Sequence, residues 1–262
     1  MLEKKPNTDG TIGKAFVILD IVESFHSPVK FNDILANSPF PKPSTYRLLR
    51  SLVSQDMLSI DADGYYALGS RLIRLAHSAW KNASIAPIAA QFIDELSVHT
   101  GETIHLAKLD NGQVLYLDKR NSSKPIRMFS DAGKVGPVYC TGVGKAMLAF
   151  SDEITQKTII AQQSYYKHTE NSHTSEDSLL EELKKIKHEG VAYDRQEHEP
   201  NIICIAVPIL APNEQVLGGM SITSSTNISS LEKLADYETE LKKTAQLIGE
   251  QAAIWLLPKM GG

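Results

Sequence analysis

The sequence predicts an α+β fold built from two parts that are joined by one helix. Three short helical patterns and a hairpin pattern occupy residues 1–69, while residues 86–262 combine alternating strands with amphipathic helices. Short turns join several of these strands, which indicates an antiparallel sheet with helices on its flanks. We therefore expect a helical domain over 1–69, a linker helix over 70–85 and an α+β domain over 86–262.

Composition and charge limit the class of protein. The chain has 262 residues, of which 42% are hydrophobic and 22% charged, and its net charge of −4 argues against a general polyanion binder. No apolar run approaches the roughly 20 residues needed to cross a bilayer, and the polar start, MLEKKPNTDG, has no signal-peptide core. Two cysteines, Cys140 and Cys204, form no disulfide framework, so we expect a cytoplasmic protein without membrane contact.

The first part of the chain has the pattern of a winged helix-turn-helix. Residues 11–25, 31–37 and 42–54 have the hydrophobic spacing of helices. Two short apolar runs follow, over residues 57–60 and 65–68. The turn Ser38-Pro39-Phe40-Pro41 separates the second and third helices, and Asp61-Ala62-Asp63-Gly64 separates the two apolar runs. The second of these turns is typical of a β-hairpin, which is the expected wing.

The third helix has one apolar face and one basic polar face. At about 100° per residue, Leu48, Leu49, Leu52 and Val53 fall on one side. The opposite side carries two arginines and three hydroxyl groups: Ser44, Arg47, Arg50, Ser51 and Ser54. Between Asp33 and Asp56 there is no other acid, so the basic charge is local. Such a helix is suited to the DNA major groove, although an ordinary surface helix gives the same pattern.

This arrangement predicts a set of DNA contacts from the helix and the wing. Base or backbone contacts are expected from the start of the helix, phosphate contacts from its flanking cations, and backbone contacts from the wing turn. The residues concerned are Lys42, Ser44, Thr45, Tyr46, Arg47, Arg50, Asp63 and Gly64.

Residues 70–80 are expected to form an amphipathic helix with Leu72, Leu75 and Ala79 on one side. We expect this side to pair two subunits.

The second part of the chain alternates predicted strands and helices. Strands are expected over residues 103–109, 113–119, 124–130, 191–194, 202–210 and 215–223. Helices are expected over residues 87–99, 142–150, 152–163, 176–189 and 229–256. Asn111-Gly112 is a strong hairpin signal, and Gly190 follows lysines at the end of an acid-first helix.

The segment Tyr139-Cys-Thr-Gly-Val-Gly-Lys145 has the appearance of a phosphate-binding loop without its required residues. That motif needs glycine and serine or threonine at the positions of Tyr139 and Ala146, so we exclude a nucleoside triphosphate site. What remains is a turn that leads into a helix, whose N–H groups over 141–144 are able to hold a carboxylate. A plain helix start explains the turn equally well.

Metal binding and catalysis are not predicted. No HExxH motif occurs, and the candidate metal ligands have no finger-like spacing. These candidates are Cys140, Cys204, His105, His168, His173, His188 and His198. No Gly-x-Ser-x-Gly elbow is present, and we expect no cofactor.

Ser221 and Thr223 share one strand face, and a nearby Asp194 would complete a small polar pocket. A solvent-facing pair of hydroxyls is the alternative.

Several stretches together resemble the IclR family of bacterial transcription regulators. The similar segments are residues 41–49 (PKPSTYRLL), 66–69 (YALG), 141–146 (TGVGKA), Tyr193-Asp194 with Glu197, 204–208 (CIAVP) and 218–223 (GGMSIT). Residues 102–106 (ETIHL) and 127–130 (RMFS) are most similar to members that respond to 2-keto-3-deoxygluconate. The chain departs from the family at Asn201, where glycine is usual, although asparagine tolerates a positive φ.

The resemblance implies both an architecture and a pocket. It implies a winged-helix domain, a linker helix and a GAF/PAS-like effector domain, assembled as homodimers or homotetramers. The family's pocket positions correspond here to Met128, Thr141, Gly142, Val143, Asp194, Ile202, Cys204, Ser221 and Thr223.

These observations favour a DNA-binding regulator that responds to a ligand. We expect a repressor of a catabolic operon that binds a palindromic operator on double-stranded DNA and senses a small organic acid such as 2-keto-3-deoxygluconate. Two alternatives remain. One is a keto-acid enzyme with an accessory helical domain, which would use Cys140, Cys204 and Asp194. The other is a protein-interaction module that docks through the 42–54 helix.

Overall fold

The computed structural model describes residues 10–83, 85–124 and 126–256. The chain divides into two compact units, Met1–Ala83 and Ser84–Gly262. Within the described residues, no helix is long and apolar enough to cross a membrane.

The N-terminal unit is a set of helices with a small three-stranded sheet. Its elements are α1 (Gly10–Ser24), β1 (Val29–Lys30), α2 (Phe31–Asn37), α3 (Lys42–Ser54), β2 (Leu58–Ile60), β3 (Tyr65–Leu68) and α4 (Ser70–Ala83). The strands are antiparallel in the order β1-β3-β2, so the predicted hairpin gains a two-residue third strand that no sequence pattern indicated. Ile18, Ile34, Leu49 and Leu58 are buried in the core.

Helix α4 divides its apolar residues between the core and the surface. Leu72 is half-buried and packs on the N-terminal core, whereas Ile73 and Leu75 are 72% and 53% exposed. Leu72 was expected to pair two subunits, but it packs on the core of its own unit. Leu75 and Ile73 remain available to a second subunit.

The C-terminal unit is a six-stranded antiparallel sheet between helices. Its elements are α5 (Ala86–Thr100), β4 (Thr103–Asp110), β5 (Gln113–Arg120), β6 (Val135–Gly136), α6 (Gly142–Phe150), α7 (Glu153–Gln162), α8 (Glu176–Glu189), β7 (Ala192–Arg195), β8 (Ile202–Leu210), β9 (Val216–Ser225), α9 (Leu231–Ala235) and α10 (Glu238–Leu256). The strand order is β6-β5-β4-β9-β8-β7.

The two faces of the sheet are covered by different helices. On one face α6 packs on β4, β7, β8 and β9, with α8 outside it, and Cys204 and Ala206 of β8 belong to this core. Because successive strand residues point to opposite faces, Ile203, Ile205 and Val207 turn toward α10, which also packs on β8. Both faces of β8 are therefore buried, which explains its continuous apolar run.

Left-handed residues end helices and form turns where the sequence indicated them. Asn111 and Gly112 have φ values of 48° and 76°, as a type I′ hairpin turn requires. Gly101 and Gly190, at 67° and 75°, end α5 and α8. Asn201 also has a positive φ, 65°, so asparagine adopts the backbone conformation expected at that position.

Two predicted elements differ from the structure. Of the predicted strand 124–130, the described residues 124 and 126–130 form no strand, and β5 instead pairs with β6, with Val114 opposite Gly136. The predicted helix 229–256 is divided into α9 and α10 by a turn at Asp236 and Tyr237, where the Tyr237 N–H donates to the Leu234 carbonyl.

Candidate functional site

Helix α3 presents its cations to solvent. Pro43 lies in the first turn, and the Pro41 carbonyl accepts from the Ser44 and Thr45 N–H groups at 2.9 and 3.0 Å. Lys42, Tyr46, Arg47 and Arg50 are exposed and Ser44 is half-buried, while Leu48, Leu49 and Leu52 face the core. The exposed face thus carries the three predicted cations and no acid.

Thr45 has a structural position that the sequence prediction did not anticipate. Its side chain is 0% exposed, and its hydroxyl lies 3.0 Å from the Ser38 hydroxyl and 3.2 Å from the Phe40 carbonyl. The prediction that Thr45 contacts DNA is therefore wrong. Thr45 precedes Leu48 and Leu49 by three and four residues, which places it on their buried face, where it closes the turn between α2 and α3.

The wing turn is shaped by Asp61. Its Oδ1 accepts from the Asp63 and Tyr65 N–H groups at 3.0 and 2.8 Å, and Gly64 has a φ of 83°. Asp63 is exposed at the tip, where its carboxylate would repel a phosphate. In the wing, the backbone near Gly64 is better suited than the Asp63 side chain to approach DNA.

One pocket in the C-terminal unit brings together eight of the nine predicted effector residues. They come from the start of α6 and from strands β7, β8 and β9: Thr141, Gly142, Val143, Asp194, Ile202, Cys204, Ser221 and Thr223. Met128 does not line the pocket. It is half-buried in the segment that was predicted to be a strand, and that segment reaches the pocket through Ser130 instead.

A hydroxyl and imidazole cluster forms one wall of this pocket. His105 of β4 is paired with Ser221 of β9, and its Nδ1 lies 3.2 Å from Thr223 Oγ1 and 3.4 Å from Ser221 Oγ. Its Nε2 lies 2.9 Å from Ser130 Oγ. Burial, with the positive charge of Lys119, lowers the pKa of His105 to about 3, so the imidazole is neutral near pH 7.

The N-terminus of α6 forms a second wall. Thr141 is the N-cap residue, but its hydroxyl donates to the Pro137 carbonyl at 2.7 Å and does not cap the helix. The N–H groups of the first turn have no partner within the helix, and they carry partial positive charge. Any side chain at Gly142 would overlap the Cys204 Sγ, so glycine is required at the pocket wall.

Asp194 forms the acidic part of the pocket. Its Oδ1 accepts from the Glu197 N–H at 2.8 Å, and behind it the buried Lys145 Nζ donates to Glu197 Oε1 at 2.6 Å. Burial and the negative charge of Glu197 raise the pKa of Asp194 to about 7. The pocket carboxyl therefore changes charge near neutral pH.

The rim of the pocket is held nearly closed. Glu199 Oε1 accepts from the Phe129 N–H at 2.8 Å, and the Phe129 ring meets the His198 ring edge-on with centroids 5.2 Å apart. The cavity inside measures about 30 Å³, which is room for about one or two water molecules. A ligand larger than this fits only if residues around the pocket move.

Comparison with known proteins identifies the family. Residues 77–250 match the family model described as bacterial transcriptional regulator IclR C-terminal, and residues 11–62 match the IclR helix-turn-helix domain. The chain belongs to the IclR family.

Relatives of known sequence or structure agree with this family. The HTH-type transcriptional regulator KdgR of Escherichia coli K12 is 30% identical over 251 residues, 95% of each chain. The crystal structure of Thermotoga maritima IclR is 29% identical with a TM-score of 0.78, covering 92% of this chain and 98% of that chain. The C-terminal domain of E. coli KdgR is 33% identical with a TM-score of 0.57, covering 63% and 96%.

These similarities confirm the α+β fold with an N-terminal helix-turn-helix, and the likeness to KdgR agrees with the subgroup resemblance. The chain is a ligand-responsive IclR-family transcriptional regulator and not an enzyme.

Both cysteines of this unit are free and buried. Burial and the neighbouring Asp194 raise the pKa of the Cys204 thiol, and burial likewise raises that of Cys140, so neither forms a thiolate near pH 7. Within the described part of the chain, no group of three or more His, Cys, Asp or Glu side chains is arranged to hold a metal ion.

Five pocket residues of this IclR-family chain were not predicted. They are His105, Tyr116, Ser130, His198 and Glu199. His105 alternates with Thr103 along β4, but its position beside Ser221 follows from the pairing of β4 with β9, strands more than 100 residues apart. For Ser130 and His198 the sequence carries no local signal, since both lie in irregular segments.

Proposed function

We propose that this IclR-family regulator represses a catabolic operon and releases it when a small organic acid binds the pocket. The leading candidate is a hexose-derived 2-keto acid such as 2-keto-3-deoxygluconate. The repressor acts in the cytoplasm as a homodimer or homotetramer, and each pair of subunits binds a palindromic operator on double-stranded DNA.

The observation that carries the proposal is that one pocket combines two kinds of hydrogen-bonding group. The uncapped start of α6, residues 141–144, offers N–H groups that suit a carboxylate. Ser221, Thr223 and neutral His105 offer hydroxyl and ring-nitrogen partners to ligand hydroxyl or keto groups. Asp194 accepts from hydroxyls but repels a carboxylate when ionised, so the acid end points away from it.

The exposed face of α3 supports the DNA half of the proposal. Arg47, with Ser44 beside it, is suited to base edges in the major groove, and Arg50 and Lys42 are suited to phosphates. Tyr46 packs edge-on against Phe31 with ring centroids 6.1 Å apart, which fixes its ring at the same surface. Two subunits would present two such helices to half-sites about one helical turn apart, or a multiple of it.

Regulation requires that the effector bind the DNA-competent and DNA-incompetent states unequally. The closed rim supplies a physical difference between states. A six-carbon acid cannot enter a cavity of about 30 Å³ while Glu199 holds the Phe129 N–H, so binding is coupled to movement of the 126–130 segment.

A thermal-shift screen of sugar acids, short keto acids and aromatic acids tests this proposal. A ligand that binds only the folded protein raises its melting temperature. We expect 2-keto-3-deoxygluconate to give the largest shift and to lower the affinity of the protein for a selected operator. No shift with any aliphatic acid, together with a large shift from an aromatic acid, would contradict the effector class.

A further inference from the structure

Tyr116 of β5 places a phenol in the wall of the effector pocket. The residue is 6% exposed, and its ring lies beside the His105 ring, with centroids 5.4 Å apart. Its N–H donates to the Lys134 carbonyl at 3.0 Å, and its own carbonyl accepts from the Gly133 N–H at 2.8 Å. The backbone of Tyr116 is therefore anchored, and its ring packs in the core of the unit.

The Tyr116 hydroxyl has no hydrogen-bond partner within the described part of the chain. Among the described residues, the other four hydroxyl groups that line the pocket bond to His105, to the Pro137 carbonyl or to one another. They belong to Ser130, Thr141, Ser221 and Thr223. A buried donor without a partner costs stability unless a water or a ligand accepts from it. The phenol is thus a free donor of the pocket.

This donor is open to a ligand and keeps its proton. Its oxygen retains accessible surface, unlike the unpaired Glu197 Oε2 and Ser224 Oγ, which are sealed in the protein. Burial, with the neighbouring Cys204 and Asp194, raises the pKa of the Tyr116 hydroxyl, so the phenol is neutral near pH 7. A neutral phenol donates one hydrogen bond.

The phenol lies close to the start of α6. A Cβ placed on Gly136 would lie 3.5 Å from Tyr116 Cε2 and 3.9 Å from Thr141 Cγ2. Cε2 adjoins the carbon that bears the hydroxyl, and Thr141 is the N-cap residue of α6. The free donor is therefore beside the N–H groups that suit a carboxylate.

A keto oxygen is the ligand group that most needs this donor. It accepts hydrogen bonds and donates none, whereas a ligand hydroxyl is able to donate to Ser221, Thr223 or Asp194. In a 2-keto acid the keto oxygen is on the carbon next to the carboxylate. A carboxylate held at the start of α6 therefore brings the keto oxygen to the side of the pocket where Tyr116 lies.

We propose that Tyr116 is a specificity-determining residue whose hydroxyl donates to the keto oxygen of a 2-keto acid. The inference rests on the proposed effector class and names the side chain that distinguishes a 2-keto acid from a saturated acid of equal length. A saturated acid leaves the phenol proton unpaired, and a site built around a hydrogen bond rejects a ligand that lacks its partner.

Calorimetry of the full chain with two acids that differ at one carbon tests this contact. The probes are 2-keto-3-deoxygluconate and 4,5,6-trihydroxyhexanoate, in which a methylene group replaces the keto group. Tyr116→Phe keeps the ring and removes the hydroxyl. It should weaken binding of the keto acid about 2- to 13-fold and change binding of the saturated acid by less than about twofold. Equal losses for both acids, or no loss for either, would overturn the proposal.

Thermal unfolding without a ligand separates this role from a structural one. Tyr139→Phe makes the same change at a buried tyrosine whose hydroxyl donates to the Tyr166 carbonyl at 2.7 Å. It should lower the melting temperature by about 2–4 °C and change keto-acid affinity by less than about twofold. Tyr116→Phe should leave the melting temperature within about 1 °C of wild type, or raise it. A fall as large as that of Tyr139→Phe would contradict the unpaired hydroxyl.

The role of Tyr116 and the effector class fail in different ways. If wild type binds 2-keto-3-deoxygluconate and Tyr116→Phe binds it equally well, the role of Tyr116 is wrong and the effector class stands. If wild type binds neither acid, the effector class is wrong and the role of Tyr116 fails with it.

Discussion

Asp194 Oδ1 accepts a hydrogen bond from the Glu197 N–H at 2.8 Å, which brings two buried carboxyl groups into one electrostatic unit. Lys145 lies behind them, with its Nζ 2.6 Å from Glu197 Oε1 and 2.8 Å from the Tyr193 carbonyl. The same Nζ lies 3.6 Å from Glu182 Oε1, so Glu182 and Glu197 share this fully buried ammonium group. The pKa of Asp194 is therefore raised by the charge of Glu197 as well as by burial.

The raised pKa of Asp194 predicts that effector affinity depends on pH. Below its pKa of about 7 the carboxyl is neutral and tolerates an acid ligand; above it the carboxylate repels that ligand. Affinity for 2-keto-3-deoxygluconate should therefore fall as pH rises from 6 to 8, by at most about tenfold per pH unit. The affinity of the Asp194→Asn variant for the same ligand should be nearly constant over this pH range. Calorimetry at pH 6, 7 and 8 checks this, and a wild-type affinity that rises with pH would be inconsistent with it.

Arg47→Ala should weaken specific operator binding by about 1–3 kcal/mol, because it removes a charge-assisted base or phosphate contact from the exposed face of α3. Both proteins would be titrated on one selected operator at a single fixed salt concentration. Lys184→Ala, an exposed cation on α8 of the other unit, controls for the loss of one positive charge. If a folded Arg47→Ala protein binds the operator as tightly as wild type, Arg47 makes no DNA contact.

Thr45→Val should reduce stability without removing a DNA contact. The hydroxyl of Thr45 is buried and bonded to the Ser38 hydroxyl and the Phe40 carbonyl, so its loss removes both hydrogen bonds at a cost of about 1–3 kcal/mol. Ser51→Ala, at an exposed position of the same helix, should cost less than about 0.5 kcal/mol. Denaturant unfolding measures both changes. Below its melting temperature Thr45→Val should keep operator affinity within about twofold, and a larger loss would restore Thr45 as a contact residue.

Leu75→Glu should prevent subunit pairing. Leu75 is 53% exposed on α4 beside the 72% exposed Ile73, and a carboxylate there would be buried without a partner in a dimer. Sedimentation at micromolar concentration should show wild-type dimers or tetramers and smaller species for the variant. Ile154→Glu makes the same change on α7 and should leave assembly unaltered. A wild-type protein that is monomeric with and without DNA would refute the pairing.

The sequence predicted the helices and turns correctly where neighbouring residues determine the local structure. The structure contains the helices predicted over residues 31–37 and 42–54, the turn at Asn111-Gly112 and the helix end at Gly190. The pocket was predicted largely through the family resemblance. The failures have non-local causes. Residues 124–130 have the composition of a strand, but in the described part of this segment the Phe129 N–H and the Ser130 carbonyl bond to the side chains of Glu199 and Lys119, from elsewhere in the fold.

The pocket assignment is tested most directly by calorimetry of wild type and Ser221→Ala against 2-keto-3-deoxygluconate, pyruvate and an aromatic acid. We predict that the six-carbon keto acid binds wild type most tightly. The loss of one hydrogen bond in Ser221→Ala should then weaken binding by about 0.5–1.5 kcal/mol, roughly 2- to 13-fold. Tightest binding by the aromatic acid, or unchanged affinity of every ligand for Ser221→Ala, would contradict the account.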